Sequence, residues 1–365
     1  MSPDPSQLRV IECTQAHRLA QARLASQCFR KPVDAAGLEW RYQRNPQGES
    51  LSFAQSLPDG TLVSGYACNP RRVLAFGEPS TAATLGETGD VMTHPDWRKL
   101  GLFSALDAAA RARSRELGWP AIFGLPNQRS AHIFLELGWQ EVGRIAMHTH
   151  VLHSSRAVAA LCRPAGRLAA LRVPLDAWQA RRARARLDTE GVGWRVEAIE
   201  RSFPPEVDGL SRRVARQFAW MVERSAEYLC WRFLESPSGL HRALAMRSPE
   251  GAFGGYVVVQ LPRPGERVGY LVDLLAAEPG ARSAGLLAGL ERLRAAGAWL
   301  VQASAVRASF WEGELFRAGF RAPRRGRELS VILFAHQPEH PLSRAGRQAR
   351  DWYLTDGDRD DETMG

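Results

Sequence analysis

The chain has 365 residues, 45% of them hydrophobic, with 48 Lys plus Arg against 39 Asp plus Glu and a formal charge of +9. That length exceeds one typical domain, and the apolar content excludes a disordered chain. The longest apolar runs, such as LSVILFA at 329–335, are far too short to span a membrane.

The N-terminus MSPDPSQLRV lacks a basic-then-apolar leader. The five cysteines (Cys13, Cys28, Cys68, Cys162, Cys230) are scattered and form no CxxC pair. Both features predict a reducing, cytoplasmic setting without a disulfide frame or a zinc site. LRVIEC (8–13) predicts a short strand, and TQAHRLAQARLASQCF (14–29) a helix with Thr14 as its N-cap. WRYQRNPQG (40–48) ends a second helix, because Pro46 lacks an amide donor and Gly48 tolerates a tight turn. LSFAQSL and TLVSGYAC flank Pro58-Asp59-Gly60 as a hairpin. RRVLAF and STAATL pair across Gly77-Glu78-Pro79, and GDVMTHP ends a strand. An alanine-rich helix runs from Leu102 to Leu117, followed by the strand AIFGL (121–125) and a short helix from Ser130 to Leu137. Strands around VGRIAMHTHVLH close the unit. The order β-α-α-β-β-β-α-β-α-β predicts an α/β architecture with a mixed sheet.

The pattern is then repeated. WRFLESPSG (231–239) matches WRYQRNPQG at an offset of 191. Pro249-Glu250-Gly251 and Gly255-Tyr256 follow it as Pro58-Asp59-Gly60 and Gly65-Tyr66 follow the first copy. PDWRKLGLFSAL (95–106) faces PGARSAGLLAGL (279–290), and Gly138-Trp139 faces Gly319-Phe320. Anchors in one order with slowly drifting offsets predict two copies of one domain. The expected limits are 1–153 for the first and 196–340 for the second. An Arg-rich linker helix lies between them at 154–195, and a polar acidic tail fills 341–365.

Chemistry concentrates at Arg98-Lys99-Leu100-Gly101-Leu102-Phe103, a glycine turn between a strand and a helix. The first amides of a helix have no intrahelical acceptor, and the helix dipole adds partial positive charge, so this turn suits a pyrophosphate. Arg98 and Lys99 add full charges. The spacing matches neither a P-loop nor G-x-G-x-x-G.

This arrangement resembles the GCN5-related N-acetyltransferases (GNAT), whose signature [QR]-x-x-G-x-[GA] follows a strand and opens a helix. A second motif of that family, Asn-x-x-[AS] then an aromatic then Gly-aromatic, appears as NQRSAHIFLELGW (127–139). The resemblance covers about 1–153 and implies two tandem GNAT-like domains, each a mixed central sheet flanked by helices. It implies acyl-coenzyme A, acetyl-coenzyme A in particular, as donor. The loop Arg98–Phe103 would hold the pyrophosphate, Val91, Met92 and Thr93 would pair with the pantetheine arm, and Asn127 and Phe134 would complete the cofactor site. THPDWRKLGLFSAL and PNQRSAHIFLELGW are similar to tandem members tied to amino-sugar or polysaccharide metabolism, which implies a small-molecule or glycan amine as acceptor.

Two residues depart from the pattern. The last small residue of the signature is Phe103. Phe134 stands where many members carry a tyrosine thought to protonate the leaving thiolate, and phenylalanine donates no proton. The second copy keeps Arg282, Gly285 and Leu286, has Ala308 where an Asn is expected, and has fewer charges in its loop. The first copy is therefore expected to bind the donor and the second to support it or shape the acceptor cleft.

An amine acceptor needs a base. Glu87, eleven residues before Arg98, stands where family bases often fall, and Asp90 lies on the same strand. In a regular strand the two point to opposite faces, and either also reads as a strand-end carboxylate. His148 and His150 share a strand face without acidic or Cys partners, which favours a polar face over a metal site. His94 reads as shaping the turn before Pro95. DGDRDDE lacks the Gly and the final Glu of a calcium loop, and no metal site is expected. RRARARL (181–187) reads as a solvated linker helix, with weak membrane-surface contact as an alternative and no nucleic acid expected. Trp40 and Trp231 read as helix-to-sheet packing or as cleft lining. Two rival functions remain open: a peptidoglycan-branching-type transferase using aminoacyl-tRNA, and a non-catalytic acyl-coenzyme A scaffold.

Overall fold

The computed structural model describes residues 4–29, 31–75, 82–153, 168–323 and 326–359. The expected turn Gly77-Glu78-Pro79, Cys162, the basic stretch before Leu168 and the acidic residues after Arg359 lie outside these. Contacts divide the chain into two compact units. One is Met1–Val142 with Ser330–Arg347, the other Gly143–Leu329 with Gln348–Gly365.

In the first unit, β1 (Arg9–Glu12), β2 (Leu51–Ser56), β3 (Leu62–Ala75) and β4 (Ala82–Thr93) are antiparallel neighbours. β5 (Ala121–Gly124) joins β4 in parallel. Alternation in β2 explains the layers. Leu51 and Phe53 face a cluster with Leu106, Ala110, Trp119, Phe134 and Trp139, whereas Ala54 faces Cys13, Leu24 and Met92. The helices α1 (Arg18–Phe29) and α2 (Ala35–Gln43) therefore cover one face, and α3 (Leu102–Glu116) and α4 (Gln128–Glu136) the other. α2 opens at Asp34, whose carboxylate accepts from the Gly37 amide at 2.5 Å, and stops at the predicted Asn45-Pro46-Gln47-Gly48 turn.

The second unit repeats this plan. β6 (Gln140–Val151), β7 (Arg195–Ile199), β8 (Trp220–Val222), β9 (His241–Arg247), β10 (Phe253–Gln260), β11 (Val268–Ala276) and β12 (Leu300–Val306) follow in the chain. The sheet order is β6-β12-β11-β10-β9-β7, with only β11 and β12 parallel. α5 (Leu168–Glu190), α6 (Glu206–Ala215), α7 (Pro279–Ala295) and α8 (Phe310–Arg317) belong to this unit.

Two expectations change, and one is qualified. The strand HTHVLH does not close the first unit. Residues 145–151 pair with β12 in the second unit, and β13 (Leu329–Ala335) pairs with β5 in the first. Each copy thus lends its last strand to the other unit's sheet. His148 and His150 are consequently buried. His148 lies 2.9 Å from Glu312, and burial pushes His150 down to about 4. RRARARL lies on a helix with its arginines exposed, as expected of a solvated linker helix, but Ala183 and Leu187 are buried and Leu187 belongs to the core of the second unit. The C-terminal stretch is not a solvated tail up to Arg359: Trp352, Tyr353, Asp356 and Asp358 are all buried. Among the described residues no helix is long and apolar enough to cross a membrane.

Candidate functional site

The site of the first unit is built where β4 and β5 part. Their parallel pairing covers Gly86↔Ile122 to Thr88↔Gly124. β4 then runs on through Thr93 with β3 on one side and, among the described residues, no further pairing to β5. A parallel pair that separates this way leaves a row of backbone donors and acceptors along one strand edge.

A bulge sits in that stretch. The β3–β4 register jumps from Ala67↔Gly89 to Gly65↔Met92, and Asp90 takes a left-handed φ of 47°. The extra residue changes the expected alternation. Gly86 faces Cys68, Ile122 and Trp119, so Glu87 lies on the opposite, α1/α2 face. The bulge turns Asp90 to that face as well, where Arg41 Nη1 and Tyr42 Oη donate to its Oδ2 at 2.7 and 2.6 Å. Val91 then packs with Phe103, and Met92 with the α1 cluster. The two carboxylates differ in setting. Glu87 is 1% exposed and takes a 2.6 Å bond from Arg71 Nη2, itself 1% exposed. Asp90 keeps part of its side chain open. Arg41 and Tyr42 were missed as site residues. Their signal was present in the Trp-Arg-aromatic phrase, which recurs with its Arg in both copies.

After β4, His94 accepts from the Asp96 amide and caps the turn Pro95–Trp97. Arg98 Nε donates back to the Thr93 carbonyl at 3.3 Å. Lys99 and Gly101 both adopt left-handed backbone, at φ of 65° and 69°. Two such residues in three bend successive amides toward one concavity, a geometry that binds anions. Gly101 is the N-cap of α3 and, having no side chain, caps nothing. The first amides of α3 thus stay available beside the exposed Arg98 and Lys99. Leu100 is exposed, and Leu102 is buried under the helix. These residues fit a pyrophosphate: fixed donors, two cations, and no carboxylate in the turn after Asp96.

Asn127 is the N-cap of α4, with Oδ1 accepting from the Arg129 and Ser130 amides at 2.9 and 3.1 Å. Phe134 is 2% exposed and packs edge-on between Phe103 and Trp139, at 4.8 and 4.9 Å between ring centroids. It belongs to the core and offers no proton. Trp40 and Trp231 are both buried, as the packing reading predicts.

The second unit differs at the corresponding loop. α7 begins at Pro279, so Arg282 and Gly285 lie inside the helix instead of before it. Arg282 donates to the Ala277 carbonyl at 2.7 Å, and a Cβ at Gly285 would meet Met246 at 2.8 Å. That glycine serves helix packing, and no left-handed turn precedes the helix. The counterpart of Asn127 is Ser309, not Ala308: it is the N-cap of α8 and accepts from the Glu312 amide. Among the described residues, no group of three or more His, Cys, Asp or Glu is arranged to hold a metal.

Residues 9–142 match the acetyltransferase (GNAT) domain family. No curated protein is detectably similar in sequence. Solved structures match across the chain. A probable N-acyltransferase from Enterococcus faecalis V583 is 14% identical with a TM-score of 0.59, covering 90% of this chain and 73% of its own. A tandem GNAT protein from the clavulanic acid biosynthesis pathway is 15% identical with a TM-score of 0.55, covering 90% and 98%. Saccharomyces cerevisiae N-myristoyltransferase is 12% identical with a TM-score of 0.59, covering 91% and 81%. At such identities the likeness speaks for the fold. Residues 9–142 thus match the GNAT acetyltransferase domain family, in a chain whose fold resembles that of tandem GNAT structures.

Proposed function

We propose that the chain transfers an acetyl group from acetyl-coenzyme A to a primary amine, an amino sugar or a glycan precursor being the acceptor class. In this reading the pyrophosphate lies on Arg98–Gly101 and the first amides of α3, and the pantetheine arm lies along Gly89–Thr93. The observation that carries the reading is the turn with two left-handed residues, Lys99 and Gly101, opening an uncapped helix beside two exposed cations.

Asp90 is the base of this proposal, ahead of Glu87. Its carboxylate is held by Arg41 and Tyr42 through one oxygen, and it is partly exposed, whereas Glu87 is sealed against Arg71. Asp90 first pairs with the acceptor ammonium and takes its proton, directly or through a water. The free amine attacks the thioester carbonyl, the C–N bond forms, and a β4 amide steadies the oxyanion. The C–S bond then breaks, the second proton of the nitrogen passes to the leaving sulfur or to water, and the thiol departs without help from Phe134.

The test is thiol release from acetyl-coenzyme A with a panel of amines that includes glucosamine. Release that depends on the acceptor is the expected result. Coenzyme A binding without turnover of any amine would overturn the catalytic reading and favour a scaffold.

A further inference from the structure

β11 and β12 part in the second unit as β4 and β5 do in the first: their pairing covers Val268↔Leu300 to Tyr270↔Gln302 and then ends. The chain's own C-terminal segment lies at that split. β14 (Trp352–Tyr353) pairs in parallel with Trp220 and Met221, and the Trp220 and Trp352 rings stack at 3.8 Å. Tyr353 Oη donates to the Leu274 carbonyl of β11. Thr355 Oγ1 donates to Asp273 Oδ1 of β11 at 2.9 Å. On the other side, the Ser304 amide of β12 donates to Asp356 Oδ2 at 2.5 Å. The segment thus bridges the two strands just past the point where they separate.

Its charges are matched inside the unit. Arg224 Nη2 donates to Asp358 Oδ2 at 2.6 Å. Arg232 Nε donates to the Gly357 carbonyl at 3.1 Å, and its Nη2 to the Arg359 carbonyl. Arg359 Nη1 donates to Asp356 at 3.1 Å and to Ser304 Oγ at 2.9 Å. Buried charges persist only when so paired. Fit is close as well: a Cβ on Gly357 would stand 3.0 Å from Phe233 and 3.1 Å from Asp273. Thr355, Asp356 and Asp358 are at most 3% exposed. Arg232 comes from the repeated Trp-Arg-aromatic phrase. Its counterpart Arg41 serves Asp90 in the first unit.

We propose that Trp352–Arg359 is a built-in ligand of the second unit, a strap seated in the strand split that the first unit uses for the donor. The strap denies that unit an acyl-coenzyme A, so the chain binds one. The stoichiometry rests on the donor-site reading of the first unit; the seating of the strap does not.

Hydrogen exchange of the full chain, with and without coenzyme A and alongside native mass spectrometry, tests this. The expected result is a strap and a Ser304 amide that exchange at least about 100-fold more slowly than an unstructured peptide. Coenzyme A should bind once and slow exchange only around 89–105. Rapid exchange of 352–359 in the free protein, a second bound coenzyme A, or loss of strap protection on adding it would overturn the proposal. A slow strap with no coenzyme A bound at all supports the strap and sinks the donor reading instead.

Discussion

Replacing Asp90 with Asn is expected to lower kcat by about 10²–10⁴-fold, the usual share of a positioned base, with little change in KM for the donor. Asn keeps the size of the side chain and an oxygen for Arg41 and Tyr42 to hold, so the bulge and α2 remain in place. What is lost is the charge that pairs with the acceptor ammonium and the ability to take its proton. Loss of the Tyr42 hydroxyl alone leaves the carboxylate present but held by one donor fewer, and is expected to cost less. Steady-state kinetics over donor and acceptor concentrations check this. A kcat for Asp90→Asn within about threefold of wild type would remove Asp90 from the role.

Glu87→Gln is expected to act on stability. Arg71 and Glu87 are almost wholly buried against each other. Neutralising one removes half of a buried, hydrogen-bonded ion pair, at a cost of about 3–5 kcal/mol. Denaturant unfolding should register that loss. The double variant Arg71→Met with Glu87→Met should recover most of it, since an apolar pair of similar size removes both charges together. The same double variant decides between the two carboxylates. Turnover near wild type leaves Glu87 a structural role, and a folded double variant with kcat down about 100-fold would make Glu87 the base.

Much of this was readable from the residues. Strands, helices and the Pro58-Asp59-Gly60 hairpin follow from alternation and turn chemistry. The turn at Arg98–Gly101 follows from a glycine placed just after two cations at a strand-to-helix junction. The repeat offsets predicted two copies, but similarity cannot say which sheet a strand will join, and β6 and β13 each pair in the other unit. The bulge at Asp90 escaped because it depends on the β3–β4 register, a long-range property, and with it went the shared face of Glu87 and Asp90. Asp356 and Asp358 depart from the expected solvated tail for a simpler reason. Acidic composition implies solvent only when no buried cations await it, and Arg224 and Arg232 lie more than a hundred residues earlier in the chain. The apolar Trp352-Tyr353-Leu354 just before it was the available sign that the segment packs.

The loop of the first unit carries the account, and coenzyme A binding tests it directly. At a ligand concentration about 100 times Kd, a single site should stabilise the wild type by about 2.7 kcal/mol, visible as a saturable rise in Tm. Gly101→Glu should lose that rise. A side chain at φ of 69° costs about 1–2 kcal/mol, and a carboxylate there repels a pyrophosphate. No heavy atom lies within 4 Å of the new Cβ, so the ligand-free variant should still fold. Saturable stabilisation of the wild type, absent from a folded Gly101→Glu, is the predicted result. No stabilisation of the wild type at millimolar coenzyme A, or equal stabilisation of both proteins, would contradict it.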